Sequence, residues 1–355
     1  MDRPFVWALR RRGAVLSVCL GLCLLMPWQA GSAGAGQGLR IYFVDVEGGQ
    51  STLFVTPGGH SLLIDTGWPG NDRRDTERIL AAATDAGIQR LDFVLLTHYH
   101  ADHAGGFPQL AERMPIGTVI DHGDNGEPEN EITRRVWENY QSVVAQRGIQ
   151  RIIPKPGDVL PIPEMRVTVI SSNGATIERA LPGAGQENPA CPGAGPYPVD
   201  LTENARSLGV LLTFEKLRIL DLGDLTSDKE VRFMCPKNLL GSVDILIVSH
   251  HGSMTSSGPA LVKGVAPRVA IMDNGALKGG APWVWNTIRK SPGLEDLWQL
   301  HYSETGGAAH NVAEEFIANP SGPDAGNYLK LTAWKDGSFA VLNSRTQATK
   351  HYAAR

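Results

Sequence analysis

A cluster of metal-ligating side chains occurs in the stretch LLTHYHADHAGG, which runs from residue 95 to residue 106. It holds three of the chain's ten histidines and one aspartate within six residues, at His98, His100, Asp102 and His103. Imidazole nitrogens and carboxylate oxygens are the ligands that zinc and similar divalent metals prefer in proteins. A chance HxHxDH is rare in a chain with so few histidines, so the pattern predicts a metal site.

Further polar side chains follow apolar runs elsewhere in the sequence, at points where strands are expected to end. They are Asp65 in LLIDTG, Asp224 in LDLGD, and His250 and His251 in VSHHGS. Catalytic groups on α/β sheets are commonly carried just beyond the carboxyl ends of strands. We therefore expect these side chains to project from the same edge of a layered core as the histidine cluster.

A site for two metals needs two sets of ligands and one anionic bridge. The predicted ligands are His98 and His100 for the first metal, Asp102 and His103 for the second, Asp224 between them, and either His250 or His251 completing the second set. Two such metals activate a water molecule as hydroxide and polarise the centre that it attacks. Zinc is the expected metal, with manganese as the alternative. Asp102 and Asp65 are the predicted catalytic residues, and a turn-capping role before Thr66-Gly67 is the alternative for Asp65.

The segments around these residues have the patterns of interleaved strands and helices. Strands are predicted in IYFVDV, STLFVTP and HSLLIDTG, and a helix in RDTERILAAATDAG, which closes on Gly87. LDFVLLTH is a continuous apolar run, which is typical of a strand covered on both faces. Hairpins are predicted in SLGVLLTFEKLRILDLGD and YLKLTAWKDGSFAVLN. We therefore expect a mixed α/β domain with the histidine cluster at the carboxyl end of a buried strand.

A stretch rich in glycine and proline, residues 174–203, interrupts this pattern. A loop of this length inside a compact domain is usually functional or disordered. It contains Cys191, and Cys235 follows it in the next part of the chain. In an exported protein these two cysteines suggest one disulfide, although two free thiols are the alternative. Neither cysteine has metal-ligand spacing to a histidine.

The first 35 residues have the organisation of a secretory signal peptide, with four arginines, an apolar run and a small-residue cleavage pattern at Ala33-Gly34-Ala35. An uncleaved membrane anchor is the alternative, but the run is short for a full span. Cleavage leaves residues 36–355 as one exported domain, periplasmic or extracellular, with no stable membrane span. That domain has 29 basic and 36 acidic side chains, and its net charge of −7 argues against a nucleic-acid partner.

These stretches together resemble the metallo-β-lactamase-fold hydrolase superfamily, whose signature is HxHxDH on a loop after a buried strand. Within it, the order of VDVEGGQSTLFVTPGGHSLLIDTG, ENARSLGVLLTF, ILDLGD and ILIVSHHGS is similar to the hydrolase domain of the ComEC/Rec2 competence proteins and to the phosphorylcholine esterase group. The resemblance spans residues 41–253 and implies an α/β four-layer αβ/βα sandwich with the metals on one edge of the two sheets. It also implies that Asp65 orients metal ligands rather than binding metal. The DVGQG stretch of the ComEC type is altered here to DVEGGQS, a change that bears on substrate more than on fold.

The chain departs from this superfamily at one ligand position. Most members place another histidine about twenty residues before the bridging aspartate, and that spacing lands here on Asn204. An amide oxygen is a weaker ligand than imidazole, which favours looser binding and a shift towards manganese. His122 in VIDHGDN is a second candidate for this position, or a packing histidine. His301 in LWQLHYS ends another apolar run and is a candidate to border the pocket.

The residues and the resemblance together predict an exported metal-dependent hydrolase. Its expected substrate is a phosphodiester or related ester, either a small molecule or a component of the cell envelope. Hydrolysis of a lactone or β-lactam is the alternative reaction. A metal-binding envelope protein without catalytic activity is the alternative from another functional class. The sequence does not indicate the oligomeric state.

Overall fold

Two nine-stranded β-sheets face each other and carry helices on their outer surfaces. The computed structural model describes residues 38–322 and 324–355, and these residues belong to one compact unit. The signal peptide predicted at 1–35 lies outside the described residues. Among the residues that are described, no helix is both long enough and apolar enough to cross a membrane.

The described residues form twenty strands. The first ten are β1 (Leu39–Phe43), β2 (Thr52–Val55), β3 (Ser61–Ile64), β4 (Leu91–Leu95), β5 (Ile116–Ile120), β6 (Gln150–Ile152), β7 (Val159–Leu160), β8 (Arg166–Ser172), β9 (Ala175–Thr176) and β10 (Gln186–Glu187). The others are β11 (Gly209–Phe214), β12 (Leu217–Asp221), β13 (Lys237–Asn238), β14 (Ile245–Ile247), β15 (Val269–Met272), β16 (Asp296–His301), β17 (Ile317–Asn319), β18 (Leu329–Ala333), β19 (Phe339–Asn343) and β20 (Thr349–Tyr352).

Seven α-helices accompany these strands in the described part of the chain. They are α1 (Arg74–Asp85), α2 (Ala101–Ala104), α3 (Phe107–Arg113), α4 (Glu131–Arg147), α5 (Ser227–Met234), α6 (Pro259–Val265) and α7 (Pro282–Arg289). Short 3-10 helices occur at Asn71–Arg73, Glu203–Arg206, Ser249–Gly252 and Glu314–Phe316. Local sequence sets the ends of α4, because Asn130 accepts hydrogen bonds from two first-turn amides and Gly148 adopts the left-handed conformation that closes the helix.

The two sheets have parallel segments that meet at one edge. The first sheet has the order β20-β19-β18-β1-β2-β3-β4-β5-β6, and the strands from β3 to β6 run parallel. The second has the order β17-β16-β15-β14-β12-β11-β8-β7, with β9 paired to β8, and the strands from β17 to β12 run parallel. The predicted hairpins β11–β12 and β18–β19 are confirmed.

Alternation along the strands produces three apolar cores and therefore four layers. In β3, Leu62 and Ile64 enter the core between the sheets, whereas Leu63 packs in the core under α1, α3 and α4. In β12, Ile219 faces the first sheet and Leu220 packs in the core under α5, α6 and α7. Strands with both faces buried read as continuous apolar runs, which is why their sequences lack polar alternation. The predicted four-layer αβ/βα sandwich is confirmed.

The predicted long loop, residues 174–203, packs against the second sheet's helices as ordered structure. Its β10 pairs with β13, and a disulfide joins Cys191 to Cys235. Asn188 is buried, and its side-chain amide donates to backbone carbonyls of α5 and α6. The disulfide interpretation of the two cysteines is therefore the one that the structure bears out.

Candidate metal centre

Four side chains bring their ligand atoms together where the parallel strands of both sheets end: Asp102, His103, Asp224 and His251. His103 Nε2 lies 3.2 Å from Asp102 Oδ2, 3.2 Å from Asp224 Oδ1 and 3.2 Å from His251 Nε2. His251 Nε2 lies 3.3 Å from Asp102 Oδ2 and 3.4 Å from Asp224 Oδ1. Ligand atoms at about 2.0–2.1 Å from a tetrahedral zinc ion lie roughly 3.3 Å from one another. The separations therefore match one tetrahedral site.

The chemistry of this group fits a divalent cation. Asp224 Oδ1 is buried and accepts no hydrogen bond of good geometry from the described residues, although buried carboxylate oxygens are nearly always paired. Burial opposes protonation of His103, but the carboxylates of Asp224, Asp102 and Asp65 outweigh it and raise its pKa well above the usual value. The group thus attracts positive charge, and a metal ion supplies that charge while using every converging lone pair.

A backbone contact holds Asp102, which lies in α2 beyond the end of β4. The backbone N–H of Gln50 donates to the backbone carbonyl of Asp102 at 3.1 Å, and the side-chain amide of Gln50 donates to Asp221 Oδ2 at 2.7 Å. The loop between β1 and β2 is therefore tied both to the HxHxDH segment and to the second sheet. Gly49 is required there, because a Cβ at this position would lie 2.3 Å from Asp102 O.

Asp65 orients His103 from the side away from the other ligands. It follows β3 with a positive φ of 60°, and its Oδ2 accepts from His103 Nδ1 at 2.7 Å. The same carboxylate accepts from the backbone N–H of Thr97 at 2.8 Å and from its hydroxyl at 2.7 Å. A histidine whose Nδ1–H is donated to a carboxylate presents Nε2 to a metal. The structure therefore places Asp65 where a positioning residue is expected.

A second, looser group of imidazoles faces the other oxygen of Asp224. His98 Nε2 lies 3.1 Å from His100 Nδ1 and 3.9 Å from Asp224 Oδ2, while His250 Nε2 lies 3.4 Å from Asp224 Oδ2. Burial, followed by the neighbouring histidines His103 and His100, holds the pKa of His98 well below its usual value. A neutral imidazole is the form that binds metal. His250 and His251 thus both reach Asp224, one at each oxygen.

Most of these histidines are braced through their other ring nitrogen. Thr97 Oγ1 lies 3.0 Å from His98 Nδ1, Glu127 Oε2 lies 2.8 Å from His100 Nε2, and Thr255 Oγ1 lies 3.0 Å from His250 Nδ1. Such outer contacts fix the tautomer and the ring orientation of metal-ligating histidines. Glu127 was not predicted from the sequence, because it lies in a loop with no strand-end pattern.

Asp273 and Lys278 also lie at the site and were missed. Asp273 Oδ1 lies 3.6 Å from His251 Nδ1, and it directly follows the apolar strand β15, so the strand-end reasoning applied to Asp224 finds it as well. Lys278 contacts the Asp102 carboxylate from the loop between β15 and α7. Nothing in the local sequence around Lys278 distinguishes it from a surface lysine.

The candidates for an additional first-site ligand occupy different surroundings. His122 is buried, and its Nε2 lies 2.9 Å from Glu203 Oε2, which also accepts the backbone N–H of Tyr99. The structure therefore places His122 with Glu203 rather than in the two imidazole groups. Asn204 has a buried Oδ1 that accepts no hydrogen bond from the residues the structure describes.

His301 belongs to a separate polar group beneath the β1–β2 loop. Its Nε2 lies 2.7 Å from Asp45 Oδ1 and 3.6 Å from Glu47 Oε1, and Arg78 Nη1 lies 2.8 Å from Asp45 Oδ2. Burial opposes protonation of His301, but the Asp45 carboxylate outweighs it and raises the pKa of the imidazole. With Glu47, His301 lines a cavity of about 90 Å³ outside the two imidazole groups.

The sequence is similar to a known protein family and to several known proteins. Residues 45–188 match the family described as "Metallo-beta-lactamase superfamily". The chain is 26% identical over 282 residues to Recombination protein 2 of Haemophilus influenzae, covering 77% of this chain and 26% of that protein. It is 25% identical over 308 residues to Competence protein ComA of Neisseria gonorrhoeae, covering 78% of this chain and 36% of that protein. The chain thus spans about a quarter to a third of the length of these relatives.

One solved structure is reported for comparison. It is the metallo-beta-lactamase fold protein YhfI from Bacillus subtilis, with a TM-score of 0.45 and 14% identity, covering 74% of this chain and 96% of that one.

The bracing of His103 predicts the effect of changing Asp65. We expect Asp65→Asn to weaken metal binding by about 10- to 100-fold, because the amide no longer fixes the tautomer of His103. Competition titration of the metal-free protein with zinc and a chelating dye measures this change.

The matched control is Asp92→Asn. Asp92 lies near the start of β4, at the end of the strand away from the candidate metal ligands, and its carboxylate accepts the backbone N–H of Ser61. This substitution should leave zinc affinity unchanged. Equal zinc affinity in Asp65→Asn and the unaltered protein would contradict the positioning role.

Proposed function

We propose that this protein is an exported hydrolase that uses two metal ions to cleave phosphodiesters or related esters. The proposal starts from the metallo-beta-lactamase superfamily domain at residues 45–188. A metal-dependent, hydrolase-like function follows from that superfamily and from the clustered ligands. Lactone or β-lactam hydrolysis is the alternative reaction. Turnover of an ester distinguishes the enzyme from a metal-binding envelope protein without activity.

The main observation in favour of two metal ions is the position of the Asp224 carboxylate, because its two oxygens face different imidazoles. Oδ1 lies 3.2 Å from His103 Nε2 and 3.4 Å from His251 Nε2. Oδ2 lies 3.4 Å from His250 Nε2 and 3.9 Å from His98 Nε2. Asp224 would therefore be able to act as a ligand for two ions, one at each set of imidazoles, if two ions were bound. When bound, two such ions lower the pKa of a water molecule towards neutrality and polarise the bond that it attacks.

The chain's own residues supply orientation and a dry environment around the ligands. Asp65 holds His103, Glu127 holds His100, and the hydroxyl of Thr97 lies against His98. His98 and His103 are fully buried, so water does not compete for their ring nitrogens. Preorganised polar groups in a buried site act more strongly on a reacting ester than they would in water.

We propose that the first metal is completed by His250. Its Nε2 shares Asp224 Oδ2 with His98, and Thr255 fixes its other ring nitrogen. His122 is paired with Glu203 and Asn204 offers only a neutral amide oxygen, so an imidazole already aimed at Asp224 is the stronger candidate. Zinc suits a site of this composition better than manganese, because three imidazoles then face the first ion.

The substrate proposed is a small-molecule or envelope-derived ester. An anionic ester suits a site with two divalent ions, because its oxygens complement their positive charge. The chain's net charge of −4, and of −7 without the proposed signal peptide, supports a substrate other than nucleic acid.

If the protein is exported, its N-terminus and the oxidation of its two remaining cysteines can be predicted. We expect the protein from the periplasm or medium to begin at Gly36 and to have Cys191 and Cys235 oxidised, because signal cleavage and disulfide formation accompany export. Intact-mass measurement with and without reduction checks both. A full-length chain in the cytoplasmic fraction with both thiols free would contradict export.

The proposal of two metals predicts the behaviour of His103→Ala. We expect metal content to fall from about two ions per chain to about one, and hydrolysis of bis(4-nitrophenyl) phosphate to fall at least about 100-fold, because one ion no longer acts on the ester. Elemental analysis and initial rates measure these changes.

The control for His103→Ala is His351→Ala, an exposed histidine on β20, which should retain both metals and full activity. Circular dichroism verifies folding of each variant. Unchanged turnover by folded His103→Ala would contradict the two-metal proposal.

The proposed first-site ligand is tested with His250→Ala and Asn204→Ala. We expect His250→Ala to weaken the first metal at least about tenfold and Asn204→Ala to leave it unchanged, because only the former loses an imidazole ligand. Cobalt titration followed by visible absorption reports both affinity and ligand number. If Asn204→Ala alone weakened binding of the first metal, the additional ligand would be the Asn204 amide oxygen and not His250.

A further inference from the structure

Lys278 is a cation held directly beside the candidate metal ligands. Its ammonium contacts Asp102 Oδ2, and the Nζ lies 5.0 Å from the centroid of the Trp68 ring, within the range of a cation–π interaction. The Lys278 side chain is 34% exposed. An ammonium has three N–H donors, and Asp102 engages only one side of it.

The backbone around Lys278 is attached to the metal-ligand segment. Gly280 donates its N–H to His251 O at 2.9 Å, and Gly275 donates to Lys278 O at 2.9 Å. Gly279 has a positive φ of 77°, and a Cβ there would lie 2.0 Å from His251 O. This close approach couples the position of the lysine to that of His251. Lys278 is therefore held at the site by its backbone as well as by its charge.

Lys278 is also the one lysine or arginine that pairs with the carboxylates of this centre among the described residues. Asp102 pairs with Lys278 and with histidines, whereas Asp224 and Asp65 pair with histidines alone. Asp102 Oδ2 lies within 3.3 Å of two imidazole nitrogens, so it is itself one of the converging ligand atoms. If Asp102 held a divalent ion, the negative charge of its carboxylate would be offset, and the ammonium of Lys278 would be repelled by the ion. The favourable partner of Lys278 is then an anionic oxygen of the substrate.

We propose that Lys278 binds the non-bridging oxygen of a phosphodiester and thereby makes the enzyme selective for anionic phosphodiesters over neutral esters. This inference rests on the proposed ester hydrolysis and names its substrate class. A charge-assisted hydrogen bond is stronger than a neutral one and discriminates against substrates that lack the charge. A neutral phosphotriester or lactone offers only an uncharged phosphoryl or carbonyl oxygen.

The test compares Lys278→Met with the unaltered enzyme on two substrates of the same phosphoryl chemistry. One is bis(4-nitrophenyl) phosphate, which is anionic, and the other is diethyl 4-nitrophenyl phosphate, which is neutral. We expect Lys278→Met to raise KM for the anionic diester about tenfold or more, because a charged hydrogen bond is lost. The kcat/KM for the neutral triester should not fall. Lys278→Arg, which keeps the charge, should restore most of the diester affinity.

Inorganic phosphate gives a readout that does not need turnover. Calorimetry on the metal-loaded protein should show phosphate binding about tenfold weaker in Lys278→Met, with metal content unchanged. The matched control is Lys263→Met, an exposed lysine on α6, which should behave as the unaltered protein. These measurements separate the role of Lys278 from a general loss of the metal centre.

Two outcomes would overturn the inference. An equal loss of activity on the diester and the triester would show that Lys278 supports the site as a whole. Reduced metal occupancy in Lys278→Met would show that it serves to hold Asp102. Failure of the unaltered enzyme to cleave any ester would instead overturn the proposed function, and phosphate binding would still report on Lys278.

Discussion

The contact between His103 and Asp224 joins the two sheets at the edge where the metal centre lies. His103 follows β4 of the first sheet, Asp224 follows β12 of the second, and His103 Nε2 lies 3.2 Å from Asp224 Oδ1. Both residues are buried. Burying a charged group without a partner raises the free energy of the folded state. The spacing between the sheets must therefore keep these two side chains in contact. The apolar core between the sheets, which includes Leu95 and Ile219, sets that spacing.

The two imidazole groups differ in access, and this difference bears on how a substrate enters. The side chains of His103 and His251 are fully buried, whereas those of His100 and His250 are 24% and 16% exposed. The candidate site is therefore open to solvent on the side of His100 and His250. Lys278 is also exposed in part and contacts Asp102. The tight group thus suits metal retention, and the open side suits contact with substrate.

Much of the fold could be predicted from the sequence because local patterns depend on periodicity. The continuous apolar run of LDFVLLTH predicted a strand buried on both faces, and Leu95 at its end is fully buried. The strand-end rule placed Asp65 and His103 at one edge of the first sheet, because the carboxyl ends of the parallel strands β3 and β4 lie together. Asp224 follows β12 of the second sheet, and the packing of the two sheets brings it to His103. The same rule applied to Asp273 finds another residue of the site.

The sequence by itself therefore determined a mixed α/β domain with the candidate metal-ligating residues after its strands, and its resemblance to a known superfamily implied the four layers. Only the tertiary structure decided which loops contact the edge where those residues meet. The partner of His122 is Glu203, 81 positions away, and the partner of His301 is Asp45, 256 positions away. Lys278 meets Asp102 across 176 positions. Periodicity and turn residues constrain neighbours within a segment, but contacts between distant loops depend on sheet order and on the packing of the layers between them.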